Sequence, residues 1–275
     1  MTTSIHTDTP ARGGSASRRL SPSLVVRAEL IKLTSLRSTW GLLAAGAVFT
    51  LATGLFGAAG AVLQNETEGA PQAGFDPVAV TVTGVSTLVF LVAMISVLQV
   101  TGEITTGLAS STFTAVPRRG LVVVAKMAAL AVLAAPVVLA VTAVTFVAGQ
   151  LVLDRGGLAV AVVSPDAVQV VLGAAGYAIA VSVFAALLAW LLRSTVGAAF
   201  ALLGVLALLS PLVGLLPPRI SNDIVPFLPG DAAAALMGAD PTGASLSGVA
   251  ALAVTLGWCA VALLWATRVA RRRDI

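Results

Sequence analysis

Few side chains in this 275-residue sequence are equipped for bond-making chemistry. His6 is the only histidine and Cys259 the only cysteine. His6 stands in a run of Thr, Ser, Gly and Arg, and Cys259 stands in an apolar run. Zinc and haem ligation, and Cys–His or Ser–His catalysis, therefore lack their ligands or bases, and no disulfide framework can form. Two carboxylates could share acid–base work, but no two acids fall in one apolar segment. A phosphate-cradling P-loop needs Gly-Lys followed by Ser or Thr. The two lysines, Lys32 and Lys126, instead follow Ile31 and Ala125. The expectation is a chain that is not an enzyme and holds no metal or cofactor of its own.

The remaining candidates are groups that bind rather than react. Thr83, Thr87, Phe90 and Met94 share one helical face, with Ser86 and Gln99 nearby. A stripe of hydroxyl, aromatic and thioether groups could line a path for an amphipathic substrate, and Ser210 and Pro211 join it as candidates. Plain helix packing, with each hydroxyl bonded to its own backbone, is the competing reading. Pro136 and the Ser210-Pro211 pair predict kinks. Gly46, Thr50, Gly54 and Ala58 recur every four residues and would let another helix approach closely.

The elements that must position these residues are membrane helices. Hydrophobic residues make up 58% of the chain and charged residues 10%, with a mean hydropathy of +1.01. A soluble domain carries roughly 25% charge. A span needs roughly 20 apolar residues to cross about 30 Å of hydrocarbon. Six segments qualify, at about 40–63, 78–100, 127–153, 167–192, 196–216 and 248–267, none with an internal Asp, Glu, Lys or Arg. A single helix over 167–216 would be about 75 Å long, so a turn is expected at Arg193. Ion-coupled carriers place an ionisable group inside a span; by these boundaries no span has one. The fold class expected is an all-α polytopic membrane protein with six transmembrane helices.

Orientation follows from the loops. Of the sixteen Lys and Arg, all but Arg155 and Arg219 fall on the side of the two termini. Glu66, Glu68, Asp76, Asp154, Asp166, Asp223, Asp231 and Asp240 fall on the other. Positive-inside bias then places both termini in the cytoplasm. The basic residues flank apolar spans and form no stripe interleaved with aromatics, which argues against nucleic acid. Residues 1–20 read as a disordered cytoplasmic tail, with no cleaved signal peptide. Residues 21–39 read as an interfacial helix beginning at Ser21-Pro22, with Val26, Leu30, Leu33 and Trp40 on its apolar side. A cytoplasmic extension of the first span is the alternative. Residues 40–275 form the six-span domain. Before the last span, 217–247 is broken by prolines, and an Asp231 cap and Gly238 stop predict a short re-entrant or interfacial helix.

The longest polar interruption on the basic side, 102–126, reads as a docking element for a cytoplasmic partner; a plain re-entry loop anchored by Arg118 and Arg119 is the alternative. Here the residues resemble a family. RAELIKLTSLRSTW, GEITTGLASSTFTAVPRRG and the closing LLWATRVARRRDI are similar to the membrane subunits of type-2 ABC exporters. The matching positions are Glu29, Lys32, Leu33, Arg37 and Ser38 in the first helix. In the loop they are Glu103, Gly107, Pro117 and Arg118. The resemblance implies a dimeric permease, with a second copy or a paralogue, bound to a separate ABC-type ATPase subunit that carries ATP and Mg. It implies that the first cytoplasmic loop forms the coupling helix, for which Leu108 and Thr112 are further candidates. It also implies that the second and fifth spans flank the pathway. The expected function is outward movement of a drug, lipid or peptide across a bacterial plasma membrane by alternating access. The alternative is a non-transporting scaffold or regulatory subunit.

Overall fold

The computed structural model describes residues 21–71, 74–108, 119–238 and 246–272, and among these the chain is helical without a strand. Helix α1 (Pro22–Ser35) starts with Pro at its first position, where the missing N–H would have had no partner anyway. It buries Val25, Glu29 and Leu33, a stripe at i, i+4 and i+8. The face expected from sequence is therefore rotated. Val26 and Leu30 are only partly covered, and Trp40 is 54% exposed. The cause is Glu29, which turns inward to meet cations. Trp40 lies past a break at Leu36 on the next helix, where its indole N–H donates to the Thr34 carbonyl at 2.9 Å.

Helix α2 (Arg37–Glu68) is 32 residues long and ends on Gly69 at φ 74°. A short helix α3 (Pro77–Thr81), capped by Asp76, precedes α4 (Val85–Thr105). The second expected span is thus two pieces that turn near Gly84. Then follow α5 (Arg119–Asp154), α6 (Pro165–Leu192) and α7 (Thr195–Gly214). Arg193, at φ 52°, makes the sharp turn between α6 and α7, and the Ser194 hydroxyl caps α7 by accepting from the Gly197 N–H. The connection beyond contains α8 (Pro218–Ile224) and α9 (Pro229–Ala234), each followed by a 3₁₀ turn. Helix α9 starts two residues before Asp231, so that aspartate sits in its first turn rather than capping it, while Gly238 at φ 75° ends the segment. The last helix is α10 (Gly248–Arg272).

Six of these helices, α2, α4, α5, α6, α7 and α10, are long and apolar enough to cross a membrane. Polar contacts at two ends show that α2, α4, α5, α6 and α7 alternate in direction. The Asn65 amide donates to the Gly156 carbonyl, and Gln150 bridges the Pro77 carbonyl and the Val160 N–H. At the opposite end the Thr195 hydroxyl donates to that of Thr101 at 2.8 Å. Large apolar side chains such as Phe56, Phe200, Leu212 and Leu215 face outward, as suits helices surrounded by hydrocarbon.

The centre is α4 against α6, each with 61% of its most apolar stretch buried, against 11% for α7 and α10. Branched residues of α4 (Leu88, Val92, Val97) pack on a column of alanines in α6 (Ala174, Ala178, Ala185, Ala189). Small residues on one side let bulky ones close the gap, which is how helices associate when lipid removes the hydrophobic incentive. The small stripe of α2 works likewise: Gly46, Thr50, Gly54 and Ala58 are all buried. The Thr50 hydroxyl donates to the Gly84 carbonyl at 3.1 Å, and a Cβ on Gly54 would strike the Thr81 carbonyl. Helix α5 runs unbroken through Pro136. In α7 the stretch Gly204–Leu208 is a π-turn in which the Leu209 N–H bonds back to Gly204. Pro211 lacks an N–H and its ring crowds the turn before it, a common reason for a helix to widen there.

Candidate functional site

Among the described residues one cluster of paired charged side chains is built into this bundle, at the end where α1 lies. Helix α1 brings Glu29 and Lys32, one turn apart. The last turn of α4 brings Glu103, and the second turn of α5 brings Lys126. Lys126 Nζ contacts Glu29 Oε2 at 2.5 Å and Glu103 Oε1 at 2.8 Å. Lys32 Nζ contacts Glu29 Oε1 at 2.7 Å and Glu103 Oε1 at 3.2 Å. Each ammonium bridges both carboxylates, so the ring is closed and its formal charge is zero. Lys126 is 2% exposed and the two glutamates 3% and 7%, whereas Lys32 is 39% exposed and forms the solvent edge.

The electrostatics favour the charged forms of Glu29 and Lys32. Burial alone would raise the Glu29 pKa, but the Lys126 charge and hydrogen bonds from both lysines outweigh it and hold the carboxyl below its ordinary range. Burial would likewise lower the Lys32 pKa, yet the hydrogen bond to Glu29 and the Glu103 charge raise it above its usual value. Glu29, held by two ammoniums below its ordinary range, is a poor base. Among the described residues no cluster of His, Cys, Asp or Glu suits a metal ion. The ring ties α1 to α4 and α5, on either side of the 106–118 connection.

Sequence reasoning did not bring these four residues together. The helices continue past the apolar limits of the expected spans, so Glu103 lies within α4 and Lys126 within α5, both buried. Glu29 carried a signal, since it falls four residues from Val25 and four from Leu33, on the buried stripe. Opposite charges just beyond the ends of consecutive spans were the other.

The remaining candidates scatter. Leu33 is buried beside the cluster, while Arg37 and Ser38 are exposed at the start of α2. Gly107 has φ 73° and Leu108 is 55% exposed, both just past the end of α4. Thr112, Pro117 and Arg118 lie outside the described residues, as do the 1–20 tail and residues 239–245 before the last span. Thr83 and Ser86 are exposed, Thr87, Phe90 and Met94 are partly covered, and Gln99 is buried. The stripe is thus the outward face of α4, and the Thr83 hydroxyl donates to the Val80 carbonyl of its own chain at 2.8 Å. Pro211 is exposed, and the Ser210 hydroxyl donates to Asp231 Oδ1 at 3.1 Å, linking α7 to α9. Burial is the main reason the Asp231 carboxyl titrates above its ordinary range, against the Ser210 hydrogen bond.

No protein-family model matches the sequence, and no curated protein matches it.

Proposed function

We propose that this chain is the membrane-spanning permease subunit of an ATP-driven ABC exporter, with both termini cytoplasmic and ATP hydrolysis on a separate chain. The observation that carries the reading is the buried, neutral ring of Glu29, Lys32, Glu103 and Lys126. A chain without an engine must receive force from outside, and force applied to a loop is useful only if the loop is rigidly joined to the bundle. The ring supplies that joint. Anything that pulls on the 106–118 connection moves α1, α4 and α5 together, and α4 is the central helix. In this reading α1 lies along the inner leaflet and Arg193 and the α10 arginines anchor the same side. A second copy or a paralogue completes the pathway, with the outward face of α4 and the weakly buried α7 toward it. The plasma membrane of a bacterium is the setting, and the cargo is amphipathic.

Co-purification and flux test this. A tagged chain expressed with its native partners should bring down an ATPase, and proteoliposomes of the complex should export a fluorescent amphiphile only with ATP and Mg. A chain that never binds an ATPase, and that acts alone on the assembly of other membrane proteins, would instead establish the scaffold reading.

A further inference from the structure

A groove of about 250 Å³ runs between α6 and α10, lined by Phe184, Leu187, Leu191, Trp258, Val261 and Trp265 among others. Along either helix it covers eight residues, a rise of about 10 Å. Its walls are apolar and it is open, with Val261 56% and Trp265 61% exposed. Its character changes at one end. Arg193 follows Leu191 by two residues and is exposed at the α6–α7 turn. On α10 the spacing 258, 261, 265, 268 continues one helical stripe, so Arg268 extends the line of Trp258, Val261 and Trp265. Trp265 stands where the apolar stripe gives way to arginine, the position that indoles take at the boundary of hydrocarbon and headgroups.

We propose that this groove is a binding site for an anionic phospholipid. One acyl chain lies between Leu187, Leu191, Val261 and Trp265, and the phosphate sits at the mouth near Arg193 and Arg268. Charge selects the occupant. An apolar groove alone would take any chain, but cationic groups at its mouth favour a headgroup with net negative charge. A second copy of the protein fits less well. A two-fold axis along the membrane normal brings the same patch of each copy together, which would place these arginines against their own counterparts. Trp258 is fixed from behind by donating its indole N–H to the Phe227 carbonyl at 2.8 Å, so the wall is held in place before a lipid arrives. The proposal requires that the chain span a bilayer and is independent of any ATPase.

The test uses the full chain in nanodiscs of equal phosphatidylglycerol and phosphatidylcholine, with retained lipid counted by native mass spectrometry. The wild type should keep phosphatidylglycerol over phosphatidylcholine by roughly fivefold per arginine engaged. Arg193→Asn with Arg268→Gln should abolish the preference while leaving the melting temperature in place; asparagine suits the positive φ of that turn. Ala262→Trp, which fills the groove, should release both lipids. Equal retention of the two lipids by the wild type would overturn the proposal. So would a preference that survives loss of both arginines, or an Ala262→Trp variant that changes the oligomeric state but not lipid retention. Because no ATPase is present, these outcomes leave the exporter reading to its own test.

Discussion

At the scale of residues, the ring of four charges sets the sharpest expectations. Removing one partner from a buried ion pair leaves the other uncompensated, at a cost of about 3–5 kcal/mol. Lys126→Met should therefore lower the melting temperature markedly, because Glu29 and Glu103 would then share only Lys32. Adding Glu103→Gln restores neutrality around the Glu29–Lys32 pair, so the double variant should melt above Lys126→Met alone. Strictly additive losses in a double-mutant cycle read by scanning fluorimetry would mean that the residues do not act as a ring. The pH dependence follows from the same geometry. Glu29 titrates below its ordinary value of 4.5, so its contribution is complete above that pH and is lost as the pH falls through the folded value. Lys32 titrates above 10.5, so its contribution is complete below that pH and is lost as the pH rises through the folded value. The melting temperature should be flat across the interval between and fall on both sides. Lys126→Met should shift the acid limb to higher pH, since the Lys126 charge is the largest influence holding Glu29 ionised.

At the scale of elements, close helix contacts decide which small residues matter. A Cβ on Gly84 would meet the Thr50 backbone at 2.7 Å and collide with the Thr53 hydroxyl, whereas one on Gly60 would meet nothing within 4 Å. Gly84→Ala should then cost about 1–3 kcal/mol through overpacking. Gly60→Ala, in the interior of α2, should be neutral or stabilising by about 0.5–1 kcal/mol. Thermal melts of the two variants in one detergent check this, and equal effects would mean that α2 does not approach the Gly84 turn. Much of this level was legible in the sequence. The six apolar runs, the Ser21-Pro22 start, the Arg193 turn and the four-residue stripe from Gly46 to Ala58 all depend on local chemistry or simple period. The rotation of α1 and the break at Gly84 were not, because both are set by partners far along the chain. Glu29 turns inward only because Lys126, 97 residues later, waits there. The apolar limits of α4 and α5 also hid how far each helix continues, since hydropathy ends where charge begins but backbone hydrogen bonding does not.

At the scale of the whole molecule, the exporter reading needs the α1 end to face the cytoplasm. The chain offers a clean measurement, because Cys259 is its only thiol and Cys259→Ser yields a cysteine-free background. Helix α2 separates Thr34, exposed just before it, from Thr67, exposed in its last turn. At about 1.5 Å per residue α2 rises roughly 45 Å from Arg37 to Thr67, more than the hydrocarbon core of about 30 Å. The two positions must emerge on opposite sides if α2 spans. A membrane-impermeant maleimide applied to intact cells should label Thr67→Cys and spare Thr34→Cys, with the second site reacting only after the cells are opened. Both sites lie outside the ring and outside the groove between α6 and α10, so the substitutions leave those features alone. The reverse pattern would put Lys32, Arg193 and the α10 arginines outside, away from any cytoplasmic ATPase, and with that the joint formed by Glu29, Lys32, Glu103 and Lys126 would have nothing to transmit.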